Sequence, residues 1–201
     1  MDQWSDEKIQ TALSKRNSVQ LRVRKAFEEL VHPFTSLVLI EARDYSDVKN
    51  EVIELYGKGF EIIYLALNSG FSKIKQDCER EKKDCSHIFF IDMVSIESGA
   101  KTIEGEPKVT YLKSPLDLTE AISSIDKRFS ISNGKKTMVV LDSVSTMLIY
   151  NDVFKVEKFM HTLLGKVNAS NASAIVFSSD FNEKEGITST IGQFFEKTLK
   201  I

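Results

Sequence analysis

The sequence predicts an α/β protein: a three-layer sandwich with a mainly parallel central sheet, helices on both faces, and an N-terminal helical extension. Three observations carry this. Short, almost continuously apolar runs (Val38-Leu39-Ile40, Ile62 to Leu67, Ile88 to Ile91) read as strands buried on both faces, as parallel strands are. Amphipathic segments alternate with these runs, giving the strand, helix, strand order of a parallel sheet. The run Thr137-Met-Val-Val-Leu-Asp142-Ser143 ends in a carboxylate, so a buried strand delivers one acid to the C-terminal edge of the sheet, where such folds bind their ligands.

Taken in order, Ser5 to Val31 reads as helix, broken near Asn17, with Val19, Val23, Phe27 and Leu30 spaced three to four apart on one face. His32-Pro33 ends it, because the residue before proline is pushed out of the α region. The chain therefore divides into an extension, residues 1–33, and an α/β domain, residues 34–201. Strands are expected at Leu37 to Ala42, Glu61 to Leu67, His87 to Val94, Val109 to Lys113, Met138 to Asp142 and Ser173 to Ser178. Helices are expected near Asp47 to Tyr56, Ser69 to Lys83, Leu118 to Phe129 and Asp152 to Val167. Gly57 and Gly59 can stop the first of these in the left-handed conformation. Asp117 and Glu120 make a capping-box pair before Leu118, Ala121, Ile122, Ile125 and Phe129. Val153, Val156, Met160, Leu163, Leu164 and Val167 form a core-facing stripe. Ser95 to Lys108, and Ser130 to Lys136 around Asn133-Gly134, read as loops.

Composition excludes several functions. The chain has 201 residues, 42% of them hydrophobic, enough for a full core. A net charge of −2 argues against general nucleic-acid binding, which needs a basic excess. No apolar run approaches the roughly 18 residues of a membrane helix, and the N-terminus lacks the apolar core of a signal peptide, so no membrane insertion and a cytoplasmic protein are expected. Cys78 and Cys85 fit no usual zinc spacing and His87 cannot complete a four-ligand set, so reduced thiols are expected. His32, His87 and His161 fall on a loop, a strand start and a helix, with no carboxylates to make a triad. Asp92, near a strand end, could pair with another acid across the sheet edge. No metal and no cofactor are expected.

Leu37-Val-Leu-Ile, Ile63-Tyr-Leu-Ala-Leu, Val139-Val-Leu-Asp142-Ser-Val-Ser-Thr-Met-Leu, the long helix after it and Ala174-Ile-Val-Phe-Ser-Ser-Asp180 together resemble the RecA/KaiC-like ATPase family, from Phe34 to the C-terminus. The strand ending in Asp142-Ser143 resembles the Walker B region of KaiC-like archaeal and bacterial proteins. Ile191 to Ile201 is similar to the family's final segment, which leads into a last strand. The resemblance implies a RecA-like fold and, for Asp142, descent from a residue that holds the Mg²⁺ of a nucleotide.

Two departures oppose the activity. Where the family carries its Walker A loop, this chain reads Glu41-Ala-Arg-Asp-Tyr-Ser-Asp-Val-Lys-Asn50, without a glycine. Phosphate cradling needs glycines so that backbone N–H groups can approach the anion. Glu41, Asp44 and Asp47 would face a triphosphate with like charge, and Lys49 falls about two residues late for a phosphate lysine, which makes it a solvated helix residue. Where the family carries acids that activate water stands Asn68-Ser69-Gly70, and an amide cannot take the proton. Asp142 and Ser143 are then vestigial Walker B residues, Asp142 bonded to Ser143 or to backbone N–H groups, with residual Mg²⁺ binding as the other alternative.

The expected function is that of a non-catalytic RecA/KaiC-like domain acting as a regulatory, scaffolding or protein-interaction subunit, and not an enzyme. Its partner would be a protein, either an intact RecA-like ATPase or a copy of itself. The helix offers the contact surface, through Val19, Val23, Phe27 and Leu30 or through its basic face of Lys15, Arg16, Arg22, Arg24 and Lys25; the apolar face could instead be a lid. The alternatives are an ATPase with an unconventional phosphate site built on Lys49 or Arg43, and a recombination or repair accessory protein touching DNA through the basic helix or the loop Lys101 to Lys108.

Overall fold

A computed structural model describes residues 6–132, 134–179 and 190–201; the expected helix start at Ser5, the turn residue Asn133 and the motif end at Asp180 lie outside the described residues. The chain alternates as the apolar pattern requires: α1 (Asp6–Phe27), β1 (Thr35–Leu39), a 3₁₀ turn (Ala42–Asp44), α2 (Tyr45–Gly57), β2 (Glu61–Ala66), α3 (Phe71–Arg80), β3 (Ile88–Asp92), β4 (Val109–Tyr111), α4 (Leu118–Ile131), β5 (Thr137–Asp142), α5 (Val144–Tyr150), α6 (Val153–Ala169), β6 (Ser173–Ser178) and β7 (Lys197–Lys200). The seven strands form one sheet in the order β4-β3-β2-β5-β6-β1-β7, and every neighbouring pair is parallel.

Successive strand residues face opposite sides, which gives two apolar layers. Leu37, Ile63, Leu65, Leu141 and Val176 pack under α4, α5 and α6. Val38, Ile62, Tyr64, Met138, Val140 and Ile175 pack under α1, α2 and Phe71 of α3. In the middle of the sheet Asp142 lies in register between Ala66 of β2 and Phe177 of β6. The strand order thus puts the one acid of β5 at the C-terminal edge with elements on both sides.

Several local expectations change. α1 is continuous through Asn17 and ends at Phe27, not Val31. Its face Val19, Val23, Phe27 and Leu30, expected as a contact surface or as a lid, is turned into its own domain: the first three are at most 4% exposed and Leu30 packs against the same cluster. Apolar spacing marks a face to be buried but does not name what buries it. Gly57 ends α2, but neither it nor Gly59 has positive φ. Gly57 is needed for closeness instead, since a Cβ there would stand 2.8 Å from His87 Nε2. Asp117 makes no side-chain cap on α4; its Oδ2 accepts from Ser114 N at 3.1 Å, bracing the preceding turn. Of the α6 stripe, Val156, Met160, Leu163, Leu164 and Val167 are buried, whereas Val153 is partly exposed and Phe159 takes up core. α5 went unseen in the sequence because it is only seven residues long.

Cys78 and Cys85 are joined in a disulfide, where the sequence suggested reduced thiols. α3 stops at Arg80 and the chain reverses through Lys82, whose φ is 53°. That reversal brings the two Cα atoms to 6.5 Å, within bridging range, although seven positions separate them.

Candidate functional site

Asp142 ends β5 with 1% exposure, so its carboxylate must find partners inside the protein. It finds four. Oδ1 accepts from Tyr45 Oη at 2.5 Å and from Asn68 Nδ2 at 2.6 Å. Oδ2 accepts from Lys49 Nζ at 2.8 Å and from Tyr64 Oη through a short bond. A carboxylate has about four lone-pair directions, and each is used.

Each donor is placed by its element. Tyr45 and Lys49 are four apart on α2 and so share a face, with the Lys49 ammonium 5.8 Å from the Tyr45 ring centroid. Tyr64 sits opposite Val140 in the β2–β5 register, which leaves Asp142 as its diagonal neighbour on the same face, within reach of a long side chain. Asn68 follows the end of β2, where its backbone N–H also donates to Asp142 O at 3.2 Å. The Asn68 side-chain Oδ1 accepts from the Thr146 hydroxyl of α5. Ser143 Oγ is occupied as the cap of α5, accepting from Thr146 N at 3.3 Å.

Burial, and then the neighbouring Asp142 charge, push both tyrosine hydroxyls well above their ordinary range, so both remain protonated donors throughout the neutral range. Lys49, 17% exposed, is the one cation on Asp142 among the described residues.

These contacts correct three expectations. Lys49 is an ion-pair partner and not a solvated helix lysine. Asp142 is satisfied by side chains from α2, from β2 and from Asn68 just after β2, and not by Ser143 or backbone N–H groups. The acids after β1 do not face an open phosphate site: Asp44, 5% exposed, is paired with Arg22 at 2.7 Å and Lys15 at 3.4 Å, and Asp47 with Lys15 at 3.0 Å. Glu41 is paired with Arg43 at 2.7 Å. Tyr45 and Tyr64 were missed because a tyrosine in an apolar run reads as core; the diagonal register was the signal that could have revealed Tyr64.

Asp92 is a second buried carboxylate at the same edge, and it pairs with no acid. Its oxygens accept from Phe71 N at 2.6 Å, Val94 N at 3.1 Å, Ser95 N at 2.9 Å and Ser95 Oγ at 2.7 Å, fixing the start of α3 and the turn after β3. Gly70 lies against this cluster, where a Cβ would run into Ser95 Oγ. The three histidines remain apart: His32 Nδ1 is 2.7 Å from Ser173 Oγ, His87 is against Gly57, and His161 stacks edge-on with Phe194.

The Mg²⁺ that the RecA/KaiC-like resemblance implies for Asp142 requires free oxygen lone pairs in near-octahedral array. Asp142 offers none, and an ammonium already stands beside it. The residues present do not fit that metal. Among the described residues no group of three or more His, Cys, Asp or Glu is placed to hold a metal, and no helix is long and apolar enough to cross a membrane.

Comparison with solved structures finds chains similar to this one. The uncharacterized protein PH0321 from Pyrococcus horikoshii, in complex with an unknown peptide, superposes with a TM-score of 0.65 at 12% identity, over 89% of this chain and 81% of that one. The Aeropyrum pernix ORC1 protein in complex with DNA aligns with a TM-score of 0.46 at 11% identity, over 94% of this chain and 44% of that one. The all-parallel seven-stranded sheet flanked by helices is a P-loop-like, RecA-type arrangement. No curated protein matches. Residues 61–201 match the model of the Family of unknown function (DUF7090), and the chain belongs to that family.

Proposed function

We propose that this protein is a non-catalytic RecA/KaiC-like domain that works through protein contacts, as a regulatory or scaffolding subunit. The single observation that carries the reading is the saturation of Asp142 by Tyr45, Tyr64, Lys49 and Asn68. An acid whose lone pairs are all engaged neither holds a metal nor activates water, and the segment after β1 supplies ion pairs in place of a phosphate cradle. The peptide in the Pyrococcus horikoshii structure makes a peptide or protein surface the ligand class to test first. Ile149 near the end of α5 and Phe154 near the start of α6 are in keeping with this, being 78% and 73% exposed, since large apolar groups left in water are candidates for interaction surfaces.

The test is thermal unfolding with and without millimolar Mg·ATP, together with a phosphate-release assay. No shift and no release are expected. A shift of several degrees that disappears in Asp142→Ala would overturn the reading in favour of an ATPase with an unconventional site.

A further inference from the structure

We infer that Lys49 is a resident cation: its ammonium does at Asp142 the electrostatic work that a divalent metal does at this position in nucleotide-binding proteins of the fold type, so the edge of the sheet is held in one state without metal or nucleotide. The inference rests on the non-catalytic reading and goes further, because it assigns the cation's place to a residue of the chain.

Four features support it. Lys49 Nζ lies 2.8 Å from Asp142 Oδ2, in direct contact with the acid and not merely near it. It is mostly buried, at 17% exposure, so water screens the pair far less than a surface ion pair. Tyr45 lies beside it, its own ring edge-on to Phe177 at 6.3 Å, which limits where the ammonium can go. Asp142 also carries two hydroxyl oxygens, Tyr45 Oη and Tyr64 Oη, beside the amide nitrogen of Asn68. Oxygen is the donor type a hard cation takes. Without the lysine, Asp142 would keep an empty lone pair beside the Tyr45 and Tyr64 hydroxyls.

The consequence is mechanical. Asp142 ties β5 to β2 through Tyr64 and Asn68 and to α2 through Tyr45 and Lys49, and Asn68 carries the network on to Thr146 of α5. In a nucleotide-driven domain a metal and its ligand come and go at this junction, moving such elements. Here the cation is covalently part of α2, so the junction has no exchangeable component.

The experiment uses metal alone, which separates this inference from the nucleotide test above. Mn²⁺ is titrated, by loss of the free-ion paramagnetic signal, into the full chain, Lys49→Ala, Lys49→Arg and Lys49→Ala/Asp142→Asn, and melting is followed with and without it. The unaltered protein and Lys49→Arg should take up no Mn²⁺ and show no shift. Lys49→Ala should melt lower, bind one Mn²⁺ at roughly millimolar strength, and regain part of its lost melting temperature; the double variant should not bind. If Lys49→Ala does not fold, Lys49→Gln, which keeps the stem, replaces it. Mn²⁺ uptake by the unaltered protein that is lost in Asp142→Asn overturns the inference. A folded Lys49→Ala or Lys49→Gln that takes up no Mn²⁺ also overturns it, and leaves Lys49 an ordinary ion-pair partner.

Discussion

The Arg22 guanidinium lies 2.7 Å from the Asp44 carboxylate, and this pair fastens the N-terminal helix onto the turn after β1. The hydrogen bond from Arg22, reinforced by Lys15, holds the Asp44 carboxyl below its ordinary range. A group with a depressed folded-state value contributes stability above its unfolded value, near pH 4, and loses it as pH falls through the folded value. Arg22→Gln should therefore melt lower than the unaltered protein at pH 7, and the difference should shrink below about pH 4. Melting curves across pH 2.5 to 7 check this; a difference that is constant with pH would show that Arg22 acts by packing alone.

The apolar face of α1 belongs to the core, so a charge placed on it should unfold the domain. Val23→Asp, at a position with no exposure, should cost roughly 3–5 kcal/mol, and Phe27→Asp about as much. Leu21→Asp, at a residue 71% exposed, should stay within about 0.5 kcal/mol. Urea denaturation of the three variants measures this, and a near-neutral Val23→Asp would return this face to the role of a docking ridge.

Removing one donor from Asp142 leaves a buried charge short of a partner. Tyr64→Phe should cost about 2 kcal/mol, the loss of one hydrogen bond to a charged group. Asp142→Asn should cost more, about 3 kcal/mol, because Lys49 is then left without its counter-ion. Chemical denaturation reads both. A Tyr64→Phe domain as stable as the parent would mean that the Tyr64 hydroxyl does not reach Asp142.

The Cys78–Cys85 bond closes a short loop between the last turn of α3 and β3, so its removal frees only that segment in the unfolded chain. Cys78→Ser should lower stability by about 2 kcal/mol, and a reductant should lower the parent by the same amount without affecting the variant. Thiol titration of the native protein should find no free thiol before reduction; two free thiols there would remove the cross-link from the account.

The sequence by itself determined the layer architecture, because runs such as Ile62 to Leu67 can be satisfied only between two layers of helices, and determined that Asp142 would stand at the C-terminal edge. It also showed that the segment after β1, Glu41 to Asn50, contains no glycine. What it could not determine was where each side chain spends its bonding capacity. Val19, Val23 and Phe27 have the same spacing whether they meet their own sheet or another protein, and only the packing of α1 on α2 and the sheet decided it. Lys49 is polar and lies on a helix, so it reads as solvated until the strand order places β5 beside β2 and α2 above them. Cys78 and Cys85 meet only because the chain reverses at Lys82. These outcomes depend on distances between residues remote in sequence, or on a local reversal that periodicity does not mark, and that is why tertiary structure alone turned an isolated acid into a fully hydrogen-bonded, ion-paired one.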